Sequence, residues 1–225
     1  SVDRKRVSVF PVDAILPGLA ASLAANRTAV LQAPPGTGKT TRVAPFLLDA
    51  AWLKGRKILL LEPRRLAARA AAAFMARQRG EAVGDTIGYH IRLERRVGPR
   101  TRVELLTEGL LTQRLLHDPE LGDTGLVIFD EFHERSLAAD TALALALDTR
   151  RALRPDLRLV VMSATLRPEA ITAHLGDADI HTADARLYPV ETRLLDRLST
   201  ASLPQQAAGA VLRALREEPG SVLLF

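Results

Sequence analysis

The 225-residue chain contains no cysteine, which excludes disulfide bridges and thiolate metal ligands. That absence suits a cytoplasmic protein, and the cytoplasm is the expected location. No apolar run approaches the roughly 20 residues that span a bilayer. The charged start Ser1-Val2-Asp3-Arg4-Lys5-Arg6 is not followed by the apolar stretch of an export signal. Neither a membrane partner nor secretion is therefore expected. Histidines at metal-ligand spacing are also missing, so a zinc site has little support. Lysine is scarce as well: of 31 basic residues, 27 are arginine and four are lysine. A net charge of +5 and a pI near 10.2 suggest a polyanionic partner. Yet an arginine skew in an alanine-rich chain also follows from codon composition, and charge alone does not decide the matter.

What is present is a regular alternation of short apolar runs and helical patterns. Strands are predicted at Ala29–Gln32, Lys57–Leu61, Arg102–Leu106, Leu126–Phe129 and Leu157–Met162, with an added strand at Thr86–Ile91. Helices are predicted at Thr40–Ala51, Leu66–Arg79, Glu108–His117 and Glu134–Leu153. Short β-branched runs separated by crossover helices imply an α/β fold, a mainly parallel sheet flanked by helices in three layers. With 225 residues there is room for one generous domain plus a fragment of another.

The most informative segment is Ala33-Pro34-Pro35-Gly36-Thr37-Gly38-Lys39-Thr40, followed by Thr41. A strand leads into it and a helix leads out, which is the setting of a phosphate-binding loop. Backbone N–H groups converge there on phosphate oxygens, and the helix N-terminus adds its positive dipole end. Lys39 contributes a point charge, and the Thr40 hydroxyl is placed to ligate Mg²⁺. Ala33 stands where a first glycine is usual, and a methyl group is the smallest possible intrusion. An ordinary turn is the competing reading, and the strand–loop–helix context weighs against it.

Every other polar cluster also follows a predicted strand. Glu62-Pro63-Arg64-Arg65 follows the second strand and Thr107-Glu108-Gly109 the third. Asp130-Glu131-Phe132-His133 follows the fourth, and Ser163-Ala164-Thr165 the fifth. Open parallel sheets bind ligands at the carboxyl ends of their strands, so these clusters compose one rim. Asp130 and Glu131 are adjacent carboxylates at the end of an apolar strand, and they repel each other unless a cation intervenes. Mg²⁺ held by Thr40 and Asp130 answers that need. Glu131 is then left to orient and deprotonate a water that attacks the γ-phosphorus. The blander alternative for the acidic pair is a helix cap. Arg64 and Arg65, with Thr107 and Gly109, are placed to meet phosphates of a second ligand, though solvated arginines and plain caps would read alike.

Taken in order, Ala-Pro-Pro-Gly-Thr-Gly-Lys-Thr, Glu-Pro-Arg-Arg-Leu-Ala-Ala, Thr-Glu-Gly-Leu-Leu, Asp-Glu-Phe-His-Glu-Arg and Met-Ser-Ala-Thr-Leu resemble the first-domain motifs of superfamily 2 DEAH-type helicases. Phe132 in the box and the Ala-Pro-Pro-Gly loop are most similar to the bacterial HrpB-type branch. The resemblance implies a RecA-like first domain over 1–187 and the truncated start of a second over 188–225. The second RecA-like domain and the C-terminal domains are then expected as missing partners. It also implies ATP and Mg²⁺ as cofactors, Lys39 and Glu131 as catalytic residues, and coupling through His133, Ser163 and Thr165. Single-stranded nucleic acid, RNA in preference to DNA, is the implied substrate, contacted near Arg64, Arg65, Thr107 and Gly109. Relatives often carry an adenine-stacking arginine where this chain has Phe74, whose ring can still stack although the cation is lost. Two further classes compete: a P-loop switch or AAA-type ATPase acting on protein, and a non-catalytic binding module. The Arg64-Arg65 cluster argues against the first, and retention of both Lys39 and Glu131 against the second.

Overall fold

The computed structural model describes residues 10–164, 168–176, 178–184, 191–194 and 201–224. The chain separates into two compact units, residues 1–186 and 187–225.

In the first unit, eight strands form one sheet: β1 (Thr28–Gln32), β2 (Lys57–Leu61), β3 (Ile87–Ile91), β4 (Glu94–Arg96), β5 (Val103–Leu106), β6 (Thr124–Phe129), β7 (Arg158–Ser163) and β8 (Ala178–Thr182). Their spatial order is β4-β3-β5-β2-β6-β7-β1-β8, and every pairing is parallel except the β3–β4 hairpin. The central strands are apolar on both faces because helices cover both. Leu31, Ile58, Leu60, Ile128, Val160 and Met162 pack on one side with α1 (Leu16–Ala24), α2 (Lys39–Leu47) and α3 (Arg65–Gln78). Val30, Leu59, Leu61, Val127, Phe129 and Val161 pack on the other with α4 (Glu108–His117), α5 (Leu137–Ala152) and α6 (Pro168–Leu175). The period-two alternation of those side chains divides one apolar run between two cores.

The predicted strands and helices form at nearly their predicted positions, with informative differences. The helix predicted over Thr40–Ala51 ends at Leu47. Pro45 sits within it and cannot donate to the helical ladder, and the chain then re-forms a separate 3-10 turn at Ala51–Leu53. α1, β4 and β8 were not expected. α1 is a short alanine-rich helix, and β4 and β8 are edge strands whose polar sequences carry no apolar signature.

Opposite the carboxyl rim, arginines act as carbonyl clamps. Arg154 donates to the carbonyls of Glu120, Leu121 and Thr124 at 2.7–3.1 Å, and Arg102 to those of Leu48 and Arg56. Arg150 reaches Leu157 and Asn26 carbonyls, while the buried Arg158 donates to Leu23 and stacks 5.2 Å from the Trp52 ring centroid. Asp156 pairs with both Arg154 and Arg56, which holds its carboxyl well below the usual range. The guanidinium fork, not its net charge alone, is what this rim uses.

The second unit contains α7 (Leu203–Glu217), opened by a capping box between Ser202 and Gln205. Arg193 pairs with Glu191, Glu217 and Glu218. Ser221–Leu224 has no regular structure. Phe225 lies outside the described residues. Among the described residues, no helix is long and apolar enough to cross a membrane.

Candidate nucleotide site and adjoining rim

The strand register aligns the predicted clusters. Gln32 is level with Ser163, Leu61 with both Leu106 and Phe129, and Phe129 with Val161. Three backbone bonds continue the ladder past the strand ends: Ala33 N–H to Ser163 O, Glu62 N–H to Leu106 O, and Asp130 N–H to Leu61 O, all at 2.9–3.0 Å. Along the rim the order is therefore Thr107, Glu62, Asp130, Ser163 and the Ala33–Thr40 loop. At about 4.8 Å per strand, the ends of this series lie about 19 Å apart.

The loop folds as its glycines require. Gly36 and Gly38 adopt φ of +79° and +88°, a region that side-chain-bearing residues rarely enter. A Cβ on Gly36 would meet nothing within 4 Å. The Thr37 hydroxyl donates to Pro34 O at 2.8 Å, and Thr41 and Arg42 N–H groups return to Gly38 O to start α2. Ala33 is fully buried in the core, so its methyl packs beneath the loop and does not intrude on the space above it.

Two contacts join this loop to the end of β6. Thr40 Oγ1 donates to Asp130 Oδ2, and Lys39 Nζ lies 3.0 Å from Glu131 Oε1. Asp130 and Lys39 are both buried, while Glu131 has the left-handed φ of +49° that turns its side chain toward Lys39. Burial pushes the Asp130 carboxyl up to about 7, opposed by the Thr40 hydroxyl and aided by the nearby Glu131 charge. A buried carboxylate this reluctant to ionise, beside a hydroxyl and two further acids, is short of positive charge. Among the described residues no group of three or more His, Cys, Asp or Glu could hold a metal unaided. Thr40 and Asp130 would supply two oxygens, leaving the rest to phosphates and water, which fits Mg²⁺ arriving with a nucleotide.

His133 stands in the short 3-10 turn Phe132–Glu134 that follows. Its Nδ1 lies 3.4 Å from both the Ala164 N–H and Glu131 Oε2. One ring nitrogen serves only one of them at a time: unprotonated it accepts from Ala164, protonated it donates to Glu131. His133 thus bridges the acidic box and the Ser163-Ala164 segment. Phe132 is buried edge-on against Phe129, their centroids 6.2 Å apart. Thr165 lies outside the described residues.

The other predicted residues line the far end of the rim. Arg64 is exposed and sits 3.6 Å from Glu134, with its backbone N–H donating to Glu62. Arg65 opens α3 in solvent. Thr107 precedes α4, and a Cβ on the exposed Gly109 would meet nothing within 4 Å. Phe74 is on α3 with the Arg77 guanidinium 5.7 Å from its centroid, so a cation returns to that ring from one turn away.

Two further acids, Glu62 and Glu108, stand on the same rim. Glu62 is buried, and burial raises its pKa against the pull of Arg64. Glu108 accepts from Ser136 Oγ at 2.7 Å, and Ser136 caps α5. The segment after the acidic box thereby touches both the Arg64 and the Thr107 clusters. Glu62 carried a readable signal, an acid closing an apolar strand like Asp130; the Glu108–Ser136 pair, 28 residues apart, had none.

The DEAD/DEAH box helicase family model matches residues 17–173. The chain belongs to the DEAD/DEAH box helicase family. It is 47% identical over 219 residues to the ATP-dependent RNA helicase HrpB of Escherichia coli, covering 97% of this chain and 27% of that protein. It is 33% identical over 199 residues to the ATP-dependent RNA helicase HrpA of Borreliella burgdorferi, covering 87% and 24%. A crystal structure of the E. coli DEAH/RHA helicase HrpB superposes with a TM-score of 0.88 at 46% identity, over 94% of this chain and 27% of that one. The fold is thus the expected RecA-like domain, and the likeness to the HrpB branch holds. The chain spans about a quarter of the length of the relatives it matches.

Proposed function

We propose that this chain is the nucleotide-binding half of an ATP-dependent helicase that moves along single-stranded RNA. The observation that carries the reading is the double closure of the phosphate loop on the acidic box, Thr40 with Asp130 and Lys39 with Glu131. Residues 33–41 bind the triphosphate, with Lys39 on its β- and γ-phosphates and Phe74 against the base. Mg²⁺, held by Thr40 and Asp130, would supply charge neutralisation at the phosphates. Glu131, released from Lys39 by the incoming nucleotide, orients and deprotonates the attacking water. His133, with Ser163 and Thr165, passes the state of this site along the rim. Arg64, Arg65, Thr107 and Gly109 contact the strand through its backbone, which reads no sequence and suits translocation.

Residues 1–187 act as the first RecA-like domain and 188–225 as the start of a second, whose remainder, with the C-terminal domains, completes the enzyme in the cytoplasm. Similarity to two proteins named as RNA helicases favours RNA over DNA. The test is ATP turnover by the full-length protein with single-stranded RNA, single-stranded DNA, or neither. Stimulation by RNA is expected, and turnover indifferent to both strands would favour a switch or a protein-directed ATPase.

A further inference from the structure

Phe10, Asp13 and Arg42 belong to none of the family motifs, yet they converge on the phosphate loop from behind. Phe10 and Asp13 close a small turn on themselves: Phe10 N–H donates to Asp13 Oδ2 at 3.1 Å, and Asp13 N–H to Phe10 O at 2.9 Å. Pro11, first in that 3-10 turn, fixes its φ. The turn is fastened to the loop by Val12 N–H, which donates to Thr37 O at 3.2 Å, with the Val12 side chain fully buried.

The Phe10 ring lies against Gly38. A Cβ built on that glycine would fall 2.8 Å from a Phe10 ring carbon, whereas one on Gly36 would meet nothing. The loop is therefore walled by an aromatic ring at Gly38 and unobstructed at Gly36. Arg42, in the first turn of α2, completes the arrangement. It donates to both Asp13 oxygens, at 2.9 and 3.3 Å, and its guanidinium sits 5.6 Å from the Phe10 centroid. The Arg42 charge is thus neutralised by Asp13.

We propose that Phe10, held by the Asp13–Arg42 pair, is a positioning residue that presets the phosphate loop before nucleotide arrives. This rests on the reading of residues 33–41 as the nucleotide site. Two positive-φ glycines flanking Thr37 are costly to order, and a loop already held rigid leaves less ordering for the ligand to impose. Without the ring, Gly38 has no wall to lean on, and the nucleotide must order the loop itself.

The test uses this 225-residue chain and a fluorescent ADP analogue. Phe10→Ala should weaken binding about tenfold, the scale of ordering roughly one more backbone residue on binding. Phe10→Tyr, which keeps the ring, should restore most of the loss. Asp13→Asn should give a smaller loss in the same direction, and it serves if Phe10→Ala does not fold. Hydrogen exchange at the amides of 36–41 should quicken in unliganded Phe10→Ala and return to the parent rate with saturating ADP. In the full-length enzyme KM should rise while kcat stays within about twofold, because Glu131 is untouched. Failure of the parent chain to bind would overturn the nucleotide reading and the brace together. Tight binding by the parent with equal binding and exchange in the variants would overturn the brace alone.

Discussion

Lys39 Nζ and Glu131 Oε1 lie 3.0 Å apart, so the cation proposed for a phosphate and the base proposed for a water neutralise each other. Both side chains are largely shielded from solvent, at 4% and 13% exposure, which makes the pair stronger than a surface bridge and costly to leave half-made. On the function proposed above, nucleotide binding exchanges partners there: Lys39 passes to the phosphates and Glu131 is set free.

That exchange separates two mutants. Lys39→Ala should abolish nucleotide binding, since it removes the phosphate charge and strands Glu131. Glu131→Gln should bind at least as tightly as the parent yet lose turnover by about 10²-fold or more in the full-length protein. Titration with labelled nucleotide and a steady-state assay measure both, and normal hydrolysis by Glu131→Gln would remove it as the base.

The raised Asp130 pKa, about 7, predicts a pH dependence in the absence of Mg²⁺ and nucleotide. The folded state holds the proton that the unfolded chain releases near its ordinary value of 3.8. Stability from this group is therefore lost as pH rises from about 4 to about 7 and stays lost above. Asp130→Asn should raise the unliganded Tm at pH 8 by a few degrees, for a gain on the order of 1–3 kcal/mol, and do little at pH 4. Thermal melts of both proteins across that range check the sign. An equal shift at every pH would point to packing instead.

Glu134 holds Arg64 at 3.6 Å in an exposed pair, so it should compete with the nucleic-acid phosphate proposed to bind there. Glu134→Ala should tighten single-strand binding modestly. Arg64→Ala or Arg65→Ala should weaken it for all sequences alike and lower the salt slope by about one unit each. Titrations at several salt concentrations, on two unrelated sequences, distinguish this from base recognition.

The chain spans 27% of its E. coli relative, and phosphoryl-transfer enzymes gain about 10³–10⁵ in rate from an arginine finger. The 225-residue chain should accordingly bind nucleotide yet turn it over near background even with RNA, and the full-length protein should recover turnover. RNA-stimulated hydrolysis by the short chain would show that its own residues suffice.

Much of this was legible because a parallel sheet covered on both faces writes each strand as an apolar run and each functional loop as the polar break after it. Lys57–Leu61 and Glu108–His117 match their predicted bounds for that reason. Edge strands lack the signal, as in Ala178–Thr182, where only the pairing with β1 defines the strand. That Thr40 and Asp130 share a site could be inferred from chemistry, since adjacent carboxylates need a cation, whereas the Lys39–Glu131 pair could not. The Phe10–Gly38 contact could not, because a ring lying on a glycine leaves no mark in spacing or charge.

The carbonyl-clamping arginines change what the high pI means. Arg102, Arg150, Arg154 and Arg158 already spend their donors on the protein's own backbone, on the rim away from the nucleotide loop. They serve as mortar between strand starts. A cation-exchange column would retain the protein strongly while overstating its appetite for polyanions. Swapping these arginines for lysine would preserve every charge and still loosen the masonry, because an ammonium cannot span two carbonyls as a guanidinium does.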